Sequence, residues 1–136
     1  RAYFNLNNSK NYDVANIHFT NDSKYKIESL SGAIMNDFTF EKCSNKQIQI
    51  FEDLKELFAN GVVEGDPKKK ITFKRDDTKK SVYSTVKYKI KGGYVDVRCT
   101  IFSKEFQKKY PNVGSSLQVI AHSEVFIDWL RNEAYK

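Results

Sequence analysis

The sequence predicts an α+β fold: an antiparallel sheet that includes a three-stranded meander, one central amphipathic helix and a C-terminal helix. Three observations carry the prediction. Apolar and polar residues alternate from Lys80 to Lys91 and again from Tyr94 to Phe102, with Gly92-Gly93 between them. Alternation on both sides of a two-residue glycine signal is the pattern of a hairpin with one solvated face. Between Asn45 and Asn60 the apolar residues recur at helical spacing instead. Strand-like runs are also segregated from helical ones, which favours α+β over an alternating parallel sheet.

The N-terminal third reads as short strands broken by polar turns. Ile17 and Phe19 alternate with polar neighbours, as do Tyr25 and Ile27 after the Asn21-Asp22-Ser23 turn, and Ala33 to Phe40 forms a third run with Phe38 and Phe40 on one side. The central helix is expected over residues 45–60. Ser44 and Gln47 have capping-box spacing, Ile48, Phe51, Leu54, Leu57 and Phe58 form the buried stripe, and Gly61 is the C-cap candidate. Its opposite face is mostly acidic, with Glu52, Asp53 and Glu56 beside Lys55, which disfavours an anionic membrane surface.

The meander follows as Lys70–Arg75, a polar turn at Asp76–Lys79, the long strand Lys80–Lys91, and Tyr94–Phe102. A tight Gly92-Gly93 turn pairs Ile90 with Val95, Tyr88 with Val97, Val86 with Cys99, and Ser84 with Ile101. Those residues then share an apolar face with Ile71, Phe73 and Val82, while Lys70, Thr72, Lys74, Tyr83, Thr85, Lys87, Lys89, Asp96, Arg98 and Thr100 occupy the other. Ser103–Lys109 reads as a short helix ending before Pro111. Leu117–Ala121 is ambiguous between strand and helix. Ser123–Tyr135 reads as the terminal helix, with Phe126, Trp129 and Leu130 as its buried stripe.

The 136 residues fit one domain, and 40% hydrophobic with 14% aromatic residues are enough to fill a core. No apolar run reaches the length of a membrane span and no signal-peptide pattern is present. The chain begins at Arg1 and not at Met, so it is expected to be an excised or processed portion of a longer protein. Asn7-Asn8-Ser9 and Asn21-Asp22-Ser23 match the glycosylation sequon, a match that arises easily by chance in an Asn-rich chain.

Residues Lys68–Lys91 hold ten basic side chains against Asp76 and Asp77, a local charge of +8 in a chain whose total is +6. The basic candidates are Lys70, Lys74, Lys87, Lys89 and Arg98. Such a face could track phosphates with Tyr83, Tyr94 or Phe102 stacking on bases. The favoured reading is a solvated, edge-protecting sheet face, with Lys89 and Asp96 as a cross-strand pair. Lysine predominates over arginine, and no RNP-type aromatic consensus accompanies it.

Cys43 and Cys99 are the only cysteines. Cys99 falls on the inward face of the meander and Cys43 just before the helix. A bond between them would close a loop of about 55 residues and stabilise the fold by about 4 kcal/mol; the alternative is two buried free thiols. The histidines, His18 and His122, are candidates for pH sensing. With a lysine they could also serve a metal-independent RNase, one imidazole as base and one as acid, if both reach one cleft. No phosphate loop, GxSxG, HExxH or CxxC motif occurs. No catalytic, cofactor or metal residue is therefore assigned.

Domain length, the missing start, the lone Cys43/Cys99 pair and strands followed by a terminal helix together give a recognisable profile. It resembles the periplasmic portion of small single-pass membrane proteins that assist ToxR-type transcription regulators, such as the PsaF/MyfF-like partners of fimbrial regulators in enteric bacteria. The resemblance spans the whole chain and rests on no diagnostic motif. It implies a non-enzymatic, periplasmic domain tethered by an upstream membrane segment, stabilising a regulator in virulence control. It also implies a response to acidity or a small-molecule signal, with His18 and His122 as proton sensors and buried carboxylates as rivals. The alternatives are a small basic nuclease toxin or effector, and a passive nucleic-acid-binding module; a Lys87/Lys89/Arg98 triple substitution separates both from the first reading.

Overall fold

The computed structural model describes residues 2–5, 12–21, 24 and 26–132, without the side chains of residues 3–5 and 130. Tyr25, the first sequon, Asp22 and Ser23 of the second, the Leu130 side chain and the expected last turn of the terminal helix lie outside these residues.

The chain is an α+β protein built on one antiparallel sheet. In sequence its elements are β1 (Ala2–Asn5), β2 (Val14–Phe19), β3 (Ile27–Met35), α1 (Phe40–Leu57), β4 (Val62–Gly65), β5 (Ile71–Thr72), β6 (Val82–Ile90), β7 (Gly93–Ile101), α2 (Lys104–Lys109), β8 (Ser116–Ser123) and α3 (Glu124–Asn132). The strand order is β1-β2-β3-β8-β7-β6-β4, with β5 also paired to β6. Two meanders, β1-β2-β3 and β6-β7-β8, are thus joined where β8 pairs with β3. The ambiguous Leu117–Ala121 run is the middle of β8, a central strand. Its Leu117 is buried opposite Cys99 on one side and paired with Ile34 on the other.

The β6–β7 hairpin turns one residue earlier than the glycine pair suggests. Ile90 pairs with Gly93, so Lys91-Gly92 form the turn, and Gly92 takes the positive φ of +84°. Gly93 belongs to the strand for a different reason: a side chain there would collide with the carbonyl oxygen of His122 on β8. Tyr88 therefore faces Val95, Val86 faces Val97, and Ser84 faces Cys99. The pairing moves by two residues, so each side chain keeps its expected face. Strand β5 does not follow the expected faces, since Ile71 lies opposite Tyr83 and Thr72 opposite Val82.

Helix α1 begins at Phe40, five residues before its expected start. Thr39 is the N-cap, with extended backbone and a hydroxyl accepting from the Lys42 N–H at 3.3 Å. Phe40 is thereby helical, and the expected Ala33–Phe40 strand ends at Met35. Ser44 and Gln47 do not cap; both are buried. Ser44 donates to the Pro67 carbonyl at 2.9 Å, while Gln47 donates to the Val97 carbonyl at 2.7 Å and accepts from the Ser84 hydroxyl at 2.8 Å. The helix ends at Leu57 with Phe58 as C-cap. Gly61 instead gives room to the Tyr88 ring, whose hydroxyl donates to the Phe58 carbonyl.

The core lies between α1 and the β6–β8 part of the sheet. Phe51, Leu54 and Cys43 of the helix pack with Val86, Tyr88, Val95, Val97, Cys99 and Leu117. Each such apolar side chain contributes about 1.5–3 kcal/mol by leaving water. The Cys43–Cys99 disulfide crosses this layer, with Cα atoms 5.9 Å apart and both residues fully buried.

A second cluster packs Phe73, Phe102, Phe106 and Tyr110 around α2, whose N-cap is Ser103. Beneath it Asp76 is buried in the turn after β5. Its carboxylate accepts from the N–H and hydroxyl of both Thr78 and Ser81, and from the Ser103 hydroxyl at 3.0 Å. Burial by itself raises the carboxyl pKa, but the hydrogen bonds from Ser81 and Thr78 outweigh it and hold Asp76 well below the usual carboxylate range.

Candidate functional site

The face of the sheet away from α1 is read in rows of directly paired residues. One row runs His18–Ser29–His122–Tyr94–Lys89 across β2, β3, β8, β7 and β6. The next row is Asn16–Ser31–Ile120–Asp96–Lys87, and the third is Val14–Ala33–Gln118–Arg98–Thr85. This ladder brings together His18 and His122, which are 104 positions apart. Both line a cavity of about 330 Å³ with Asn16, Ser29, Ser31 and Phe126.

Phe126 of α3 closes this recess. Its ring lies 5.2 Å from the His18 ring, edge-on, and 5.9 Å from the His122 ring, stacked; the Trp129 ring also stacks on it, at 5.9 Å. Phe126 is half-buried and Trp129 is 47% exposed, so the expected buried stripe is only partly covered where its side chains are described. The start of α3 is fixed by Ser123, whose hydroxyl accepts from the Phe126 N–H at 3.1 Å and donates to the Glu28 carboxylate. Glu28 is buried and also pairs with Lys26 at 3.0 Å.

The electrostatics of the recess oppose a further positive charge. His122 is half-buried, and burial is the leading cause of a pKa lowered from 6.5. Asp96 pulls the other way, while His18, Arg98 and Lys87 add to the lowering. The Nδ1 of His122, Oδ1 of Asn16 and Nε of Arg98 are buried without a hydrogen-bond partner. Asp96 is buried and accepts from Thr85 and from Arg98 at 3.1 Å.

Four of the five basic candidates, Lys70, Lys87, Lys89 and Arg98, are engaged within the fold, and Lys74 is exposed. Lys70 lies 5.0 Å from the Phe40 ring centre and Lys87 lies 5.1 Å from that of Tyr94. Lys89 pairs with Glu64 of β4 at 2.7 Å, a strand the sequence pattern did not reveal. Lys87, and not Lys89, stands opposite Asp96, a consequence of the earlier turn. Lys74 and Arg98 line a separate cavity at the other end of the sheet face. Outside the five candidates, Lys80 pairs with Glu105 and Lys109 with Asp77.

The sequence pattern singles out both histidines and places Asp96 on the outer face of the meander, but it does not single out Asn16, Gln118 or Glu28. The available signal was the run of polar residues Asn16 and His18, Ser29 and Ser31, and Gln118 and His122 on one face of β2, β3 and β8, interrupted by Val14, Ala33 and Ile120. Alternation reports a face, however, and not whether that face is covered. Among the described residues, no cluster of three or more His, Cys, Asp or Glu could hold a metal ion, and no helix is long and apolar enough to cross a membrane. No family model, curated protein or solved structure matches this chain.

Proposed function

We propose that this chain is a non-enzymatic extracytoplasmic domain that binds a partner protein and changes state with acidity. The partner we infer is a membrane-bound, ToxR-type regulator, with the domain held at the periplasmic face by a membrane segment. The observation that carries the acid response is the row that places His18 and His122 in one recess under Phe126. The disulfide is compatible with an extracytoplasmic location.

The mechanism is a population shift. Protonating an imidazole here adds charge among His18, Lys87 and Arg98, with Asp96 as the opposing charge and Tyr94, Ser29 and Phe126 completing the surroundings. A depressed His122 pKa means that the unfolded chain binds the proton more readily. The stability it contributes is therefore present above pH 6.5 and is lost as pH falls through the lower folded-state value. Acid thus favours arrangements in which α3 releases the recess, and a partner that binds the closed form holds it less tightly in acid.

Urea unfolding and partner binding measured from pH 7.5 to pH 5 test this reading, with pH bounds of about these values set by imidazole titration. The expected result is a loss of stability over that window in the wild type and a flattened profile in H18Q/H122Q. An unchanged profile in the double variant overturns it. Asp76 supplies the contrast: its depressed pKa gives stability that persists above the ordinary carboxylate value of 3.8 and fails only in stronger acid.

A second reading is favoured by the same juxtaposition. Two imidazoles in one recess meet the first requirement of acid–base cleavage of RNA, with Lys87 nearby on the same face. It predicts cleavage of single-stranded RNA in chelator, abolished by either His18→Gln or His122→Gln. Absence of cleavage by the wild type removes it.

A further inference from the structure

We propose that the cavity at the other end of this sheet face binds a small planar aromatic anion, a carboxylate or phosphate carried on a ring system. The cavity measures about 590 Å³, within the roughly 300–1,000 Å³ of small-molecule sites. Rings of Phe73, Tyr83 and Phe102 line it, together with the cations Lys74, Arg75 and Arg98. None of its lining residues is acidic.

The walls are pre-formed. Phe73 stands edge-on to Phe102 at 5.2 Å and to Phe106 at 5.6 Å, and Phe102 stacks on Phe106 at 5.1 Å. The segment bearing Phe73, Lys74 and Arg75 is held by the Phe73 N–H on the Ser81 carbonyl at 2.9 Å and by the buried Asp76 carboxylate one residue further on. A row of paired residues, Met35–Ser116–Thr100–Tyr83, supplies strand residues to the lining. For the aromatic walls the ordering cost has therefore been met by folding, while the exposed Lys74 and Arg75 side chains order on binding.

The chemistry selects the ligand. Arg98 gives one terminal nitrogen to Asp96, its Nε has no partner, and Lys74 and Arg75 add positive charge with no lining carboxylate to offset it. An inorganic anion would answer the cations and leave the rings exposed. A neutral ring would cover the apolar wall and leave the cations unanswered. A planar aromatic anion does both, stacking on ring or guanidinium faces while its oxygens take charge-assisted hydrogen bonds. Gln118 lines this cavity and the histidine recess alike, so a ligand here sits beside the proton-sensitive groups. The proposal does not rest on the histidine reading, and either can fail alone.

The test uses naphthalene-2-carboxylate, its neutral carboxamide and inorganic sulfate, followed by calorimetry and backbone-amide NMR. Saturable binding of the carboxylate is expected, with shifts centred on Phe73, Tyr83 and Phe102. The carboxamide and the K74Q/R75Q variant should each weaken binding by about tenfold or more, the loss of a charge-assisted contact. Lys89→Gln, outside the cavity, should leave it unchanged. Arg98 is left intact because its removal strands the buried Asp96 carboxylate. Equal binding of carboxylate and carboxamide, unaltered binding by K74Q/R75Q, shifts centred on His18 and Phe126, or no saturation at millimolar ligand each overturn the proposal.

Discussion

Replacing Cys43 and Cys99 together by alanine is expected to lower the unfolding free energy by about 4 kcal/mol, on the chain-entropy scale for a loop of this length. The cross-link spans 56 positions and restricts the unfolded chain over α1, β4, β5, β6 and most of β7. Both sulfurs are also fully buried, so their removal costs some packing. Against a typical total of about 5–15 kcal/mol, the loss is a large fraction of all stability. Urea unfolding with and without reductant measures it. The unreduced, unfolded wild type should show no reactive thiol when isolated from an oxidising compartment. A loss below about 1 kcal/mol would remove the disulfide from the account of stability, because surface substitutions alone fall within roughly half that.

Gln47→Leu is the second large effect, at about 2–3 kcal/mol. The side chain is fully buried and joins α1 to both β6 and β7 through the Ser84 hydroxyl and the Val97 carbonyl. Leucine has similar bulk and is a better helix former, so propensity does not explain a loss. What remains is one hydroxyl and one carbonyl without partners in a dry layer, and such groups are expensive. Ser84→Ala in the same background should return part of the stability, because it removes one orphan. The double-mutant cycle reads this directly by denaturant unfolding. A Gln47→Leu variant as stable as the wild type, or no recovery with Ser84→Ala, would show that the pair contributes nothing.

The two effects show where sequence reading reached and where it stopped. The inward placement of Cys99 followed from alternation on one strand, and its partner from being the only other cysteine. The spacing of Gln47 from Ser44 fits a capping box, but Thr39 satisfies the helix start and frees Gln47 for the core. Capping-box spacing is local and degenerate. Which of two hydroxyls caps a helix depends on where the preceding strand releases the chain, here at Met35. The hairpin turn differs from its expected place for a related reason: two adjacent glycines both look like turn residues, and only the approach of β8 shows that Gly93 serves the strand. Strand β4 gave no signal because it is short and exposed, sitting at the sheet edge beside Lys89.

The fold class, the inward faces of β6 and β7, the central helix and the cysteine pair are all legible along the chain. Each depends on a periodicity or a count carried within one segment, where solvent exposure alternates with a fixed repeat. That β8 joins the two meanders is visible only in the folded sheet. That pairing sets His18 level with His122, puts Phe126 over both, and brings Met35 to the cavity that Lys74, Arg75 and Arg98 line. Register between strands some ninety positions apart is set by the whole packed sheet, and no local pattern encodes it.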